Sequence, residues 1–574
     1  MGRYIEVFYV EVLIKCLEFV IVSTLLIPIK ENEMSITDAT VSDQTSYGVG
    51  CSWMWNIVVI VVKAITGVAI LFAIAMLLAG FVLMIPSCTG KFAHGFVMAS
   101  PFWGAFIYGV VLLFVWGIFE YVGNRIAFVK RYELVFLMLL SLIVHIILIK
   151  VIPTLVQIKD LLTYDPLLVL KSMESGRICF MHSARNVGWC NYEILMSMLA
   201  ILFSGTLEFG RIVQAVLCAI TLVPVFYISQ WVAGRRFARF TTILLVFSPT
   251  IVLYSMVLTS EYLSALLMCL SAYFIFAAIR ARDFGFNNVC LMVLGGVALG
   301  VSDIFKVIAI VFIIAFVLIL VILISYEYSR MAFLRMVMTG AVVLSSFIFS
   351  RYVGQSVLNE LAGKSELKTG QEKLSSGLLY ELALGLNIER EGFWDSKLAS
   401  DFLKMPPERQ RAFVSEAIRR GWKDYPMLMV RKFRNIHGSA NYYHGAISTF
   451  VYSFKGKDGK WHVPKWVSSL PDYGTTYFKV AFLLGAIGLF ISVRRRCITF
   501  WLLGLFSVFI VLGFAVVEQL IEGHGRYKTS IYPFYFMVLP YICVWFERDN
   551  PVYVRLARWA GLLMSKLKRT GNER

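Results

Sequence analysis

Four short polar constellations interrupt long apolar runs, and their residue types suit transfer of a group from a phosphate-linked centre. Asp165 stands in Tyr164-Asp165-Pro166, just past an apolar run. A carboxylate there can act as a general base, a role that contributes roughly 10²–10⁴-fold when well placed. Asp-Pro equally starts a turn or caps a following helix. Glu261 closes Thr259-Ser260-Glu261, downstream of Ser248-Pro249-Thr250. An ionisable group at membrane depth is costly and therefore a functional candidate, although Glu in a first helical turn also complements the helix dipole. Asp303 and Lys306 share a hinge between apolar runs; they can pair with each other, or Lys306 can hold a phosphate as a point charge. Gly523-His524-Gly525-Arg526-Tyr527 precedes the last apolar run. Arg526 can grip a phosphate or pyrophosphate with two donors, or snorkel to an interface. His524 and Tyr527 flank it as further candidate substrate contacts.

The elements that must carry these residues are membrane helices. Of 574 residues, 59% are hydrophobic and 16% charged, against about 45–50% and about 25% in soluble domains. Lipid can solvate that much apolar surface; a soluble fold cannot hide it. Runs near the ~20 residues a spanning helix needs occur at 55–86, 98–119, 134–152, 211–232, 241–256, 262–279, 288–301, 307–325, 333–352, 478–493, 498–517 and 527–546. The spacing predicts an all-α polytopic membrane protein with about twelve or thirteen transmembrane helices. The 7–29 stretch carries Glu11, Lys15 and Glu18 and reads as an interfacial or weakly ordered helix.

Arginines fall at every second gap: Arg125 with Arg131, then Arg235, Arg236 and Arg239, then Arg280 and Arg282, then Arg330 and Arg335, then Arg494 to Arg496, then the tail. Alternating spans put all of these on one side, which the positive-inside rule makes cytoplasmic. The net charge of +18 is thereby explained without nucleic acid. The four constellations then share the outer face. Outer regions are 153–209, 353–477 and 518–526; within the first, 194–203 is too short to span and is expected along the surface.

The chain divides into an N-terminal segment (1–54), an extra hairpin (55–130), a transmembrane core (131–352) with the first outer loop at 153–209, an outer cap (353–477), C-terminal helices (478–546) and a basic tail (547–574). In the cap, Pro406-Pro407-Glu408 opens an amphipathic helix through Arg420. Trp394 and Trp422 can stack on a sugar or pack a core. Ten cysteines show no metal-ligand spacing; Cys179 and Cys190 share one polar loop and can pair if it faces an oxidising compartment. No metal ligands are assigned. No carboxylate pair has a distinctive spacing, so no cofactor is fixed and a divalent metal stays open.

The order of motifs resembles the C-type (GT-C) membrane glycosyltransferases, within them the group of protein O-mannosyltransferases and lipid A aminoarabinose transferases. The resemblance runs from about 134 to 546. It includes the Asp of the first outer loop, FSPTIVLYSMVLTSEYLSALL, a Gly-rich span ending in Lys306, and GRYKTSIYPFYFMVLPY. It implies a GT-C-like fold with outer-face amphipathic helices and a small helical cap. It also implies inverting transfer of a sugar from a polyprenyl-phosphate donor to an extracytoplasmic glycan, lipid or protein hydroxyl, at the cell membrane. Asp165 takes the family's catalytic base position and Glu261 that of its second acidic residue, with Lys306 and Arg526 near the donor phosphate. Asp165-Pro166 departs from the family's frequent Asp-Glu, and 1–133 is extra to the family core. Other readings of the same features are a lipid-linked glycan flippase or transporter, and a surface-polysaccharide polymerase or ligase.

Overall fold

The computed structural model describes residues 101–126, 131–151, 169, 173–174, 187–203, 206–255, 258–281, 284–327, 330–363, 377–389, 392, 395–421, 423–433, 454–455, 461–462, 485–486, 488–489, 498–520 and 530–546. The segment 1–54, the run 55–86, most of 478–493, Trp394, Trp422 and the tail lie outside them.

Among the described residues the regular elements are helices, apart from a two-residue antiparallel pair, β1 (Phe454–Lys455) and β2 (Trp461–His462). In chain order the helices are α1 (Pro101–Arg125), α2 (Glu133–Val151), α3 (Val187–Leu202), α4 (Leu207–Val246), α5 (Pro249–Tyr254), α6 (Glu261–Ala281), α7 (Phe286–Phe305), α8 (Ala309–Glu327) and α9 (Arg330–Gly363). Then come α10 (Gly377–Gly385), α11 (Ser396–Lys404), α12 (Pro407–Gly421), α13 (Tyr425–Phe433), α14 (Ile498–Leu520), α15 (Tyr532–Val538) and a 3₁₀ turn, Leu539–Phe546. Among the described residues, four helices are long and apolar enough to cross a membrane: Glu208–Val246, Glu261–Ala281, Phe286–Phe305 and Phe333–Leu358. Shorter apolar helices, including Glu133–Ile149 and Ala309–Ile324, accompany them.

Several boundaries differ from the apolar runs for local reasons. Pro249 has no amide hydrogen to continue a helix, so the 241–256 run splits into the end of α4 and the short α5. Within α4 the backbone leaves helical geometry at Gly234 (φ 78°, ψ 175°), which divides it into 207–233 and 235–246. A positive φ is cheap only without a Cβ, and the break falls where Arg235, Arg236 and Arg239 begin. The 288–301 run extends to Phe305 because Ser302 and Asp303 find partners inside the bundle. Helix α9 runs through Gly363, past the 352/353 boundary read from hydropathy.

The tightest packing joins α6 to α7 and α7 to α9. Helix α7 carries Gly296-Val297-Ala298-Leu299-Gly300, a spacing that lets backbones approach closely. A Cβ on Gly296 would collide with the Val343 carbonyl oxygen, and one on Gly300 would sit 2.6 Å from that of Phe347. Gly300→Leu is therefore expected to lower stability by about 1–3 kcal/mol, measured as a fall in the thermal unfolding midpoint in detergent. Gly109→Ala, where a Cβ meets nothing within 4 Å, is expected to stay within about 0.5 kcal/mol of wild type.

Side-chain pairs fix the helix directions. Gln214 of α4 reaches Thr259 before α6, while Trp231 further along α4 stacks on Tyr273 of α6 and lies under Arg280. These two helices thus run the same way. Helix α7 returns against them, with Ser302 bonded to Ser264 and Gly295 beside Ser271. The 21 residues of α6 cover about 30 Å at 1.5 Å per residue, the thickness of a hydrocarbon core. Arg235, Arg239 and Arg280 lie at one end, and Glu261, Asp303 and Lys306 at the other. At the arginine end Glu133 is in contact with Arg239, and its Oε2 lies 2.5 Å from Arg235 Nε. Arg239 Nη1 also donates to Glu120 Oε2 at 2.8 Å.

Helices α10 to α13 share a small core of Tyr380, Leu384, Phe402 and Val414. Asp395 caps α11 by accepting from the amides of Lys397 and Leu398 (2.9 and 3.2 Å), and Pro407 opens α12. Gly392 (φ 73°) makes room for the stem of buried Lys432, whose Nζ donates to the Gly385 carbonyl at 3.2 Å. Tyr425 donates to the Ala417 carbonyl at 2.6 Å, and burial pushes its phenol pKa up.

Candidate functional site

Glu261 is the first residue of α6, which begins where Pro249 and the turn after α5 end the preceding helical run. Tyr262 ties that start to α5 through the Ile251 carbonyl at 2.5 Å. Lys306 stands just past α7, in extended backbone (φ −151°, ψ 113°) that ends the helix. The break turns its side chain across to α6. There Nζ lies 3.3 Å from Glu261 Oε1, with the carboxylate side chain 0% and the lysine side chain 9% exposed. Charges that far from water persist only with a counter-charge.

Asp303, one turn earlier, has two jobs. Its Oδ1 accepts from the Ala309 amide at 3.0 Å, capping α8, and Oδ2 lies 2.8 Å from Arg351 Nε on α9. Lys306 and Asp303, which sequence spacing allows to pair with each other, thus each meet a residue far away in the chain. Around them, Asn191 of α3 donates to the Ile304 carbonyl at 2.7 Å and to Gln355 at 3.2 Å. Gln214 of α4 donates to Tyr192 (2.8 Å) and to the Thr259 carbonyl (2.9 Å). Ser264 and Ser302 hydroxyls are 2.8 Å apart. Arg211 and Glu193 are buried as well. Five helices, α3, α4, α6, α7 and α9, thus contribute polar side chains to this end of the bundle.

Helix α3 contains the 194–203 stretch expected along the surface. Within it Asn191, Tyr192, Glu193 and Ile194 are buried, whereas Ile201 and Leu202, with Phe203 just past its end, are about 70% exposed. An apolar tip beside a polar base suits a helix ending in lipid.

Glu261, Asp303 and Lys306 are thus brought to one end. Asp165, His524, Arg526 and Tyr527 lie outside the described residues, as do Cys179 and the Cys190 side chain. Arg351, Gln214, Tyr192 and Asn191 are absent from the sequence-based candidates. Their signal was a polar side chain within or beside an apolar run: Gln214 follows Arg211 by one helical turn, and Arg351 ends the 333–352 run. Among the described residues, no three His, Cys, Asp or Glu side chains come close enough to hold a metal ion. Chemically, the Glu261–Lys306 contact offers a fixed ammonium for an anionic group, with a carboxylate that holds it or orients a hydroxyl.

No protein-family model matches the chain, and no curated protein matches it. Solved structures similar to it include those of an oligosaccharyltransferase from Archaeoglobus fulgidus. The archaeal oligosaccharyltransferase AglB with an inhibitory peptide and a dolichol-phosphate shares 14% identity at a TM-score of 0.35, over 76% of this chain and 54% of that one. The apo form shares 14% at 0.34, over 75% and 52%. The form tethered to an acceptor peptide with the NVT sequon shares 13% at 0.34, over 77% and 54%. The chain spans about half the length of these proteins, and a likeness of this degree assigns it neither a family nor an activity.

Proposed function

We propose that the chain is a GT-C-like membrane glycosyltransferase that moves a sugar from a polyprenyl-phosphate donor to an acceptor hydroxyl on the extracytoplasmic side. The observation that carries this reading is the buried Glu261–Lys306 pair at the bundle end opposite the arginines. Arginines retained on the cytoplasmic side leave that pair at the outer headgroup level, where the donor's sugar–phosphate bond lies while its tail stays in hydrocarbon.

In this mechanism the acceptor oxygen forms a bond to the anomeric carbon as the bond from that carbon to the phosphate oxygen breaks, with inversion. Asp165 takes the acceptor proton. Lys306 and Arg526 stabilise the charge gathering on the departing lipid phosphate, the electrostatic contribution that is usually largest. Glu261 holds Lys306 in place, and Asp303 fixes Arg351 of α9. His524 and Tyr527 line the donor side, and α10 to α13 form a cap over the acceptor. The acceptor is a glycan, lipid or protein of the cell envelope.

The test is to incubate the purified full chain with a panel of radiolabelled polyprenyl-phosphate monosaccharides. Consumption of one of them with release of polyprenyl phosphate is expected. Transbilayer movement of lipid-linked glycan with no donor consumed would replace the reading by a flippase.

A further inference from the structure

Helix α3 reaches both members of the Glu261–Lys306 pair at the same remove. Successive residues of a helix point about 100° apart, so the adjacent side chains of Asn191 and Tyr192 leave α3 towards different neighbours. Asn191 donates to the Ile304 carbonyl at 2.7 Å, two residues before Lys306. Tyr192 is met by Gln214 of α4 at 2.8 Å. The same Gln214 nitrogen donates to the Thr259 carbonyl at 2.9 Å, two residues before Glu261.

Both carbonyls lie where a helical ladder is open. A continuing α7 would bring the Ile308 amide to Ile304, but the extended backbone at Lys306 turns that amide to the Lys306 carbonyl at 2.8 Å. The ladder of α6 starts at the Ser260 carbonyl, which accepts from the Ser264 amide at 3.0 Å, so that of Thr259 stands outside it. The two carboxamides are fully engaged here. Gln214 gives its two amide hydrogens to Tyr192 and Thr259, and Asn191 gives its two to Ile304 and to Gln355 of α9. Gln214 is 0% and Asn191 3% exposed, so neither shares these bonds with bulk water. A side chain of the same size without donors would leave each carbonyl unpaired inside the bundle, a cost that backbone movement relieves.

We infer that Asn191 and Gln214 are positioning residues: through the Ile304 and Thr259 carbonyls they set how the Lys306 ammonium stands against the Glu261 carboxylate. Tyr192 links the two arms. The role in catalysis rests on the transfer reaction proposed above. There, a displacement of about 1 Å in a charge meant for the departing phosphate costs up to about 100-fold in rate and leaves donor binding largely intact.

Two measurements on the full chain test this, the first without any sugar donor. Unfolding midpoints in detergent are compared for wild type, Glu261→Gln, Asn191→Leu and the two changes together. The fall caused by Glu261→Gln is expected to shrink by about half in the Asn191→Leu background, because changes acting through one ion pair are not additive. A side chain that only fills space would leave that fall unchanged. In the second, Asn191→Leu is expected to lower kcat about 10–100-fold, with the KM for the polyprenyl-phosphate sugar within about twofold of wild type. Gln214→Met, on the Glu261 side, should show the same pattern in both measurements and takes the place of Asn191→Leu if that variant fails to fold. Equal falls in the two backgrounds, or wild-type kcat in either variant, would overturn the inference. A wild type that consumes no donor, with the falls still unequal, would overturn the transferase reading and leave the positioning of the pair standing.

Discussion

Glu261→Gln is expected to lower sugar transfer by about 10²–10³-fold and to destabilise the bundle by about 3–5 kcal/mol. The change leaves the Lys306 ammonium, 9% exposed, beside a neutral amide. Breaking one half of a buried pair costs more than the pair contributes, because the surviving charge stays desolvated. Lys306→Met made together with Glu261→Gln removes both charges and should recover most of the stability. It should not recover transfer, since the departing phosphate has then lost Lys306 and keeps only Arg526. Unfolding midpoints and initial rates on the wild type and the two variants separate the two effects. A double variant that regains transfer along with stability would reduce the pair to a structural brace.

The arginine end supplies the second large effect. Arg239→Ala removes the main counter-charge of Glu133, whose side chain is 4% exposed, and one of the partners of Glu120. Arg235 still touches Glu133, but one cation must then hold a buried carboxylate at its helix start. A loss of about 3–5 kcal/mol is expected, seen as a large fall in unfolding midpoint. Glu133→Gln combined with Arg239→Met should regain most of it. A single Arg239→Ala variant within about 0.5 kcal/mol of wild type would show that the network does not hold α1 and α2 against α4.

What the sequence made legible is local. Pro249 announces the break before Glu261, because it lacks the amide hydrogen that would continue α4. Pro407 marks the start of α12 for the same kind of reason. The arginine triplet locates the bend at Gly234, since charges end an apolar run. Hydropathy also separates the two ends of the bundle, because the gaps that hold arginines alternate with those that hold Glu261 and Lys306. What stayed hidden is pairing over long stretches of chain. Arg351 meets Asp303, Gln214 meets the Thr259 carbonyl, and Glu133 meets Arg239. No window of neighbouring residues contains such a pair. The same pairings explain why α7 outlasts its apolar run: Asp303 reads as a helix-ending charge until Arg351 and the α8 amide supply its partners.

The proposed extracytoplasmic transfer is tested most directly at Asp165. Membranes holding equal amounts of wild-type and Asp165→Asn protein are supplied with the polyprenyl-phosphate sugar that the wild type consumes, and release of polyprenyl phosphate is timed. Loss of the base is expected to slow release by about 10²–10⁴-fold, with the protein still folded and inserted. Release by Asp165→Asn at near the wild-type rate would contradict the mechanism.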